Sequence, residues 1–225
     1  MYWNDEGYLL SKITYGENSI IIDVLTLNHG KCSGIVYGGS SRKIKKHLQI
    51  GNKILINCRS KNENKIDYFQ TELIQAVSPI FFNDKKKISC ILSATSILKI
   101  IMPDRQVNKK IFDSLERLID SFYKDKWILS YIYWEQLLVK ELGFDFNLFK
   151  DKKLNMRNQD NHFTEINKVS LKIPEIFALK ENNILSNKQI KEALQFNKYI
   201  FITNFFDGNK LKIPQCRYIL ENYYN

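Results

Sequence analysis

At Ser78-Pro79 the hydrophobic period of this chain changes, from alternation in twos to about 3.6 residues. No one kind of regular element carries both periods. The pattern therefore predicts an α+β protein, with a β-structured portion over residues 1–79 and a mainly helical one over 80–225.

Before the change, short apolar runs are separated by turn residues. Gly7 to Tyr15 carries Tyr8, Leu9, Leu10 and Ile13 and ends at Gly16-Glu17-Asn18. Ser19 to Thr26 is rich in isoleucine and valine, and Asn28-His29-Gly30 follows as a turn. Cys32 to Tyr37 runs into Gly38-Gly39-Ser40-Ser41, Ile54 to Cys58 is a short strand, and a last run alternates. In that run Phe69, Thr71 and Leu73 share the expected inward face, with Gln70 and Glu72 opposite. Five strands of this spacing, with a longer insertion after the third, suit a five-stranded barrel of the oligonucleotide-binding (OB) type. An SH3-like barrel fits the spacing almost as well.

Beyond Pro79, Asn83 or Asp84 can cap a helix with Ile88, Ile91, Leu92, Thr95, Leu98 and Met102 on one face. A second helix is expected over 108–123, with Ile111, Leu115, Leu118 and Phe122 aligned. A third, over 127–142, carries Trp127, Tyr131, Trp134, Leu138 and Leu142 and stops at Gly143. Phe122, Trp127, Tyr131 and Trp134 are read as core. The polar stretch 145–172 fits a short hairpin or a loop. Ser186 caps a helix holding Ile190, Leu194, Phe196, Tyr199, Ile200 and Phe205, and Pro214 can start a last one through Tyr218, Ile219 and Leu220.

The formal charge is +10, from 34 Lys and Arg against 24 Asp and Glu. A lysine-rich genome bias raises the total without any binding role, but it spreads lysine evenly. Here the charge is concentrated. Residues 40–65 hold Arg42, Lys43, Lys45, Lys46, Lys53, Arg59, Lys61 and Lys65 against Glu63 alone, while 5–39 is net acidic. A local excess of this kind points to a polyanion surface. The turn Gly38 to Ser41 can bring backbone N–H groups close to a phosphate, and the cations can release counterions. Ile44 and Leu48, four apart, suit a short helix that packs inward with the basic residues outward. Tyr37, just before the turn, has a ring that can stack on a base. The plainer reading is a solvated hairpin tip.

Other chemistry finds no support. Phosphate-binding GxxxxGK[ST] and GxGxxG loops, HExxH and GxSxG are missing. His29, His47 and His162 lie far apart, and Cys32, Cys58, Cys90 and Cys216 have no metal spacing, so no metal and no cofactor are expected. Reduced cysteines, with Cys32 and Cys58 as small buried strand residues, are the default. The chain is expected not to be an enzyme. With neither a signal peptide nor a long apolar span in view, a cytoplasmic location is expected.

Several segments, in order, resemble the RecO family of bacterial recombination mediators. These are Asp5-Glu6-Gly7-Tyr8-Leu9-Leu10, Tyr15-Gly16-Glu17-Asn18-Ser19, Leu27-Asn28-His29-Gly30-Lys31, Val36 through Lys43 followed by Leu48-Gln49-Ile50-Gly51, and Glu135 through Leu142-Gly143-Phe144. The resemblance implies an N-terminal OB domain and a helical C-terminal domain. It implies binding of single- and double-stranded DNA and annealing of complementary strands. It also implies partnership with RecR in loading RecA onto DNA coated by single-strand-binding protein (SSB), whose C-terminal tail is a further implied partner. Many members carry a cysteine zinc cluster after the "LGY" helix. Here that place reads Asp145-Phe146-Asn147-Leu148-Phe149-Lys150, so the cluster is expected to be lost. Two other readings remain: an RNA-binding barrel module, and a non-catalytic adaptor whose basic patch is compositional.

Overall fold

A computed structural model of the chain describes residues 2–59, 66–144, 163–166, 169–177, 185–206 and 211–225. Five strands, β1 Tyr2–Tyr15, β2 Ser19–Thr26, β3 Gly30–Tyr37, β4 Lys53–Arg59 and β5 Asp67–Gln75, close into a barrel in the order β1-β2-β3-β5-β4. All pairings are antiparallel except β3 with β5, which run parallel through Gly34↔Asp67 and Ile35↔Tyr68. This is the Greek-key order of the OB barrel.

β1 starts five residues earlier than its apolar run. Residues Tyr2 to Tyr8 pair with β4, and Gly7 to Tyr15 pair with β2, with a register irregularity between Leu9 and Ser11. The early half is hard to recognise because its inward position 5 is an aspartate rather than a hydrophobe. Inside the barrel, Leu9, Ile22, Val24, Ile54, Ile56 and Cys58 are fully enclosed and pack with Ile20, Val36, Leu48 and Phe69. Each such aliphatic side chain contributes about 1.5–3 kcal/mol. Of the face expected on β5, Phe69 is buried and Thr71 half-buried, but Leu73 is 46% exposed. Past Tyr68 the strand pairs with β4 only, and beyond Phe69 its side chains leave the core.

The helices are α1 Arg42–His47, α2 Lys85–Ile101, α3 Lys109–Ser121, α4 Trp127–Glu141, α5 Asn187–Phe201 and α6 Gln215–Asn222. The Asp84 carboxylate caps α2 by accepting from the N–H groups of Lys86 and Lys87. Ser186 and Gln189 form a reciprocal capping box at α5, which continues into a π turn over Ile202–Phe206. Phe122, Trp127, Tyr131 and Trp134 are all buried, as their helical spacing requires. In α6 Leu220 is buried, but Tyr218 and Ile219 face outward. Within 145–172 a hairpin of β6 Phe163–Ile166 and β7 Val169–Lys172 is present, and 145–162 lies outside the described residues. The chain forms two compact units, Met1–Ile119 with Pro214–Leu220, and Asp120–Ile213 with Glu221–Asn225. The barrel strands stop at Gln75, yet α2 and most of α3 belong to the barrel's unit.

A buried carboxylate holds the β2–β3 turn. Asp5 Oδ2 accepts from the Asn28 N–H at 2.7 Å and lies 2.8 Å from His29 Nδ1. Its Oδ1 accepts from Asn28 Nδ2 at 3.0 Å and from the Glu6 N–H at 2.9 Å. The His29 ring stacks on Trp3 with centroids 4.0 Å apart. Gly30 sits at φ +71°, and a Cβ there would lie 2.4 Å from the Gln106 carbonyl oxygen. Lys31 donates to the Lys99 carbonyl at 2.9 Å, near the C-terminus of α2, where a cation is favoured. Replacing Asp5 by Ala removes the two carboxylate oxygens that meet Glu6, Asn28 and His29. The expected loss is roughly 2–4 kcal/mol of unfolding free energy, seen as a lower midpoint in urea melts. A midpoint equal to wild type would show that the turn stands without the carboxylate.

Candidate nucleic-acid interface

The cationic segment after β3 begins with a tight turn. Gly38 adopts φ +67°, the Gly39 N–H donates to the Val36 carbonyl at 3.3 Å, and the Ser41 N–H donates to the Gly38 carbonyl at 2.8 Å. Two of the N–H groups expected to approach a phosphate are therefore used within the turn itself. The Ser41 hydroxyl caps α1 by accepting from the Ile44 N–H at 3.4 Å.

α1 is short and bound to the barrel at its C-terminal end. Leu48 is fully buried, and Ile44 packs against the barrel core. Gln49 Nε2 donates to the Lys45 carbonyl at 2.6 Å, Asn52 Nδ2 to the His47 carbonyl at 2.9 Å, and Lys12 Nζ to the Leu48 carbonyl at 2.6 Å. With the apolar positions turned inward, Arg42, Lys43, Lys45 and Lys46 are all exposed. None of the four makes an ion pair with a carboxylate among the described residues. Their field is felt locally. The His47 imidazole is pushed down chiefly by burial, and then by Lys43. The Lys12 ammonium is likewise lowered by burial, and then by Lys45. A phosphate placed here would relieve that repulsion.

Beside α1 lies a cleft of about 480 Å³, lined by Tyr37, Ile44, Arg59, Tyr68, Gln70 and Thr71 among others. The fold thus brings Tyr37 and Arg59 together with α1, although they belong to three separate elements. Tyr37 is 64% exposed, and its ring stacks on Tyr68 with centroids 5.2 Å apart and planes 15° from parallel. Tyr68 and Gln70 were not among the residues singled out from the sequence. Alternation sets Gln70 opposite Phe69, but the position of Tyr68 beside β3 depends on the parallel pairing of Ile35 with Tyr68.

Lys53 must be removed from the expected surface. Its ammonium lies 2.9 Å from Glu6 Oε1 and 2.6 Å from Glu116 Oε1, with its side chain only 12% exposed. Burial alone would lower its pKa, but hydrogen bonds to Glu116 and Glu6 outweigh this and raise it. The cation also sits 5.7 Å from the ring centres of Tyr8 and Phe112. Its role is to tie α3 to the barrel. Lys61 and Lys65 lie outside the described residues.

Thiol chemistry has no foothold on the barrel. Burial pushes the Cys32 thiol up to about 11 and the Cys58 thiol up to about 12. Among the described residues no group of three or more His, Cys, Asp or Glu could hold a metal ion, and no helix is long and apolar enough to cross a membrane. The positions directly after Phe144, where the family's zinc cluster would fall, lie outside the described residues.

Comparison with known proteins agrees with this architecture. Residues 1–77 match the family model "Recombination protein O N terminal", and residues 83–191 match "Recombination protein O C terminal". The chain is 32% identical over 145 residues to the DNA repair protein RecO of Roseobacter denitrificans, covering 64% of this chain and 60% of that protein. It is 30% identical over 148 residues to the RecO of Cereibacter sphaeroides, covering 66% and 62%. With the RecO of Wolbachia pipientis subsp. Culex pipiens it shares 31% over 152 residues, covering 67% and 62%. The matched stretch thus spans about 60% of the length of these relatives. The N-terminal model falls on the closed barrel and the C-terminal model on the helices that follow, in that order, and by this the chain belongs to the RecO family of DNA repair and recombination proteins.

Proposed function

We propose that this chain is a recombination mediator that binds single- and double-stranded DNA through the α1 face of its barrel and anneals complementary strands. The observation that carries this reading is the set of four exposed cations on α1, none of them neutralised by a neighbouring carboxylate among the described residues. They project from a helix whose apolar side is packed on the barrel. Lys53 shows the contrast, because it has two carboxylates of its own.

No covalent chemistry is needed for the task. Two DNA strands repel each other, and a cationic surface that holds one strand screens its approach to a second. The contacts go to phosphates, so binding depends little on sequence. In this reading the chain works with RecR to load RecA onto SSB-coated DNA. The acidic, apolar-ended tail of SSB suits a surface of helices that combines apolar and basic residues.

Replacing Arg42, Lys43, Lys45 and Lys46 together by Ala is expected to lower the slope of log affinity against log salt by roughly 2–3 units for single strands. Annealing should weaken in parallel, and thermal melts should barely change. The measurement is a titration of a labelled oligonucleotide at several salt concentrations. An unchanged slope in a folded variant would move the DNA surface off α1.

Lys53→Met removes one positive charge from the same stretch of sequence, with the opposite expectation. The salt slope should stay at the wild-type value, while the urea midpoint falls, because Glu6 and Glu116 lose their shared cation. In wild type the stabilisation from this raised pKa is fully present below the unfolded lysine value and is lost as pH rises through the folded one. The midpoint difference between wild type and variant should therefore shrink in strongly alkaline buffer. A reduced salt slope at unchanged stability would return Lys53 to the binding surface.

A further inference from the structure

We propose that the outer wall of the barrel carries a track for unpaired bases, a row of tyrosines and one arginine that accepts a single strand while α1 holds its phosphates. The inference rests on the reading of α1 as a polyanion surface and adds to it the kind of strand that this face selects.

Strand pairing lays out the row. Tyr15 on β1 pairs with Ser19 on β2, and Ser19 pairs with Tyr37 on β3. Tyr37 stacks on Tyr68 of β5. Tyr68 pairs with Arg59 on β4, and Arg59 pairs with Tyr2 at the start of β1. One line across the strands therefore meets four tyrosines and an arginine. Tyr2, Tyr15 and Tyr37 are each more than half exposed, and Arg59 is exposed beside them. Their chain neighbours Trp3, Ile20, Val36, Cys58 and Phe69 pack into the core, which fixes the direction in which the row faces.

Aromatic residues favour strands, so one exposed tyrosine needs no explanation. A row that runs by strand pairing on β1–β2–β3 and β5–β4–β1, joined between Tyr37 and Tyr68 by two stacked rings and with no carboxylate within it, is a different matter. Every base has a π face, and base–aromatic stacking tolerates any sequence. In a duplex those faces are covered by neighbouring base pairs, whereas an unpaired base can leave its stack and lie on a ring. The Tyr37 phenol is held above its ordinary pKa, first by its hydrogen bond to Tyr68, then by burial and by the phenols of Tyr68 and Tyr15. The Tyr37 ring thus stays neutral beside a phosphate chain. Strands lie about 4.8 Å apart, so the five steps from Tyr15 on β1 round to Tyr2 on the same strand cover roughly 24 Å. That length suits a strand of about four nucleotides, the lower end of the range for OB barrels.

The test uses the full chain and three labelled ligands: an oligothymidylate, an abasic oligomer with the same number of phosphates, and a hairpin duplex. Wild type should bind the oligothymidylate more tightly than the abasic oligomer. Tyr37→Ala and Tyr68→Ala should each weaken oligothymidylate binding about tenfold. They should close the gap to the abasic oligomer and leave abasic binding, duplex binding and the salt slope unchanged. Tyr37→Phe and Tyr37→Trp should keep wild-type affinity, since they keep a ring, and thermal melts confirm that all variants fold. Equal wild-type affinity for the oligothymidylate and the abasic oligomer, or Ala variants that bind as wild type does, would overturn the track and leave the α1 reading standing. A wild-type chain that binds none of the three ligands would overturn both.

Discussion

The barrel depends on one strand pairing twice. β1 hydrogen-bonds β4 along its first half and β2 along its second, and this closes the sheet and leaves no edge on it. Closure then fixes the rest. It sets which residues face inward, so that Trp3, Leu9, Val36, Cys58 and Phe69 fill the centre. It sets which face outward, so that Tyr2, Tyr37, Arg59 and Tyr68 share one wall. It also leaves the β3–β4 connection on the outside, where α1 can pack by Ile44 and Leu48 and present only cations to solvent.

The segments shared with the family have structural work to do first. In Leu27 to Lys31, Asn28 and His29 reach Asp5, Gly30 admits the close backbone of Gln106, and Lys31 reaches the end of α2. In Leu48 to Gly51, Leu48 is buried, Gln49 binds the Lys45 carbonyl, and Gly51 at φ +89° donates to the Leu9 carbonyl at 2.7 Å. The resemblance therefore reports the frame more directly than the chemistry. The cations of α1 are carried by that frame, and their function follows from exposure and from the lack of carboxylate partners among the described residues, not from the motif itself.

What was legible in the sequence was local. The change of period at Pro79, the caps at Asp84 and Ser186, the stop at Gly143 and the inward pair Ile44 and Leu48 each depend on residues within about one turn of each other. What was not legible depends on partners far away in the chain. Lys53 looked like its basic neighbours until Glu116, 63 residues on, took its proton donors. Tyr68 gained meaning only when a parallel pairing set it opposite Ile35, within stacking reach of Tyr37 two residues on. Leu73 left the core because β5 outlasts its pairing with β3.

The central claim, that nucleic acid lies on the α1 face of the barrel, is tested most directly by hydrogen exchange of the full chain with and without a single-stranded oligonucleotide. Slowed exchange should fall on peptides covering 36–48, 56–59 and 66–71, which surround α1 and its cleft. Protection confined to the helices of 85–141, with the barrel exchanging as in the free chain, would contradict the account.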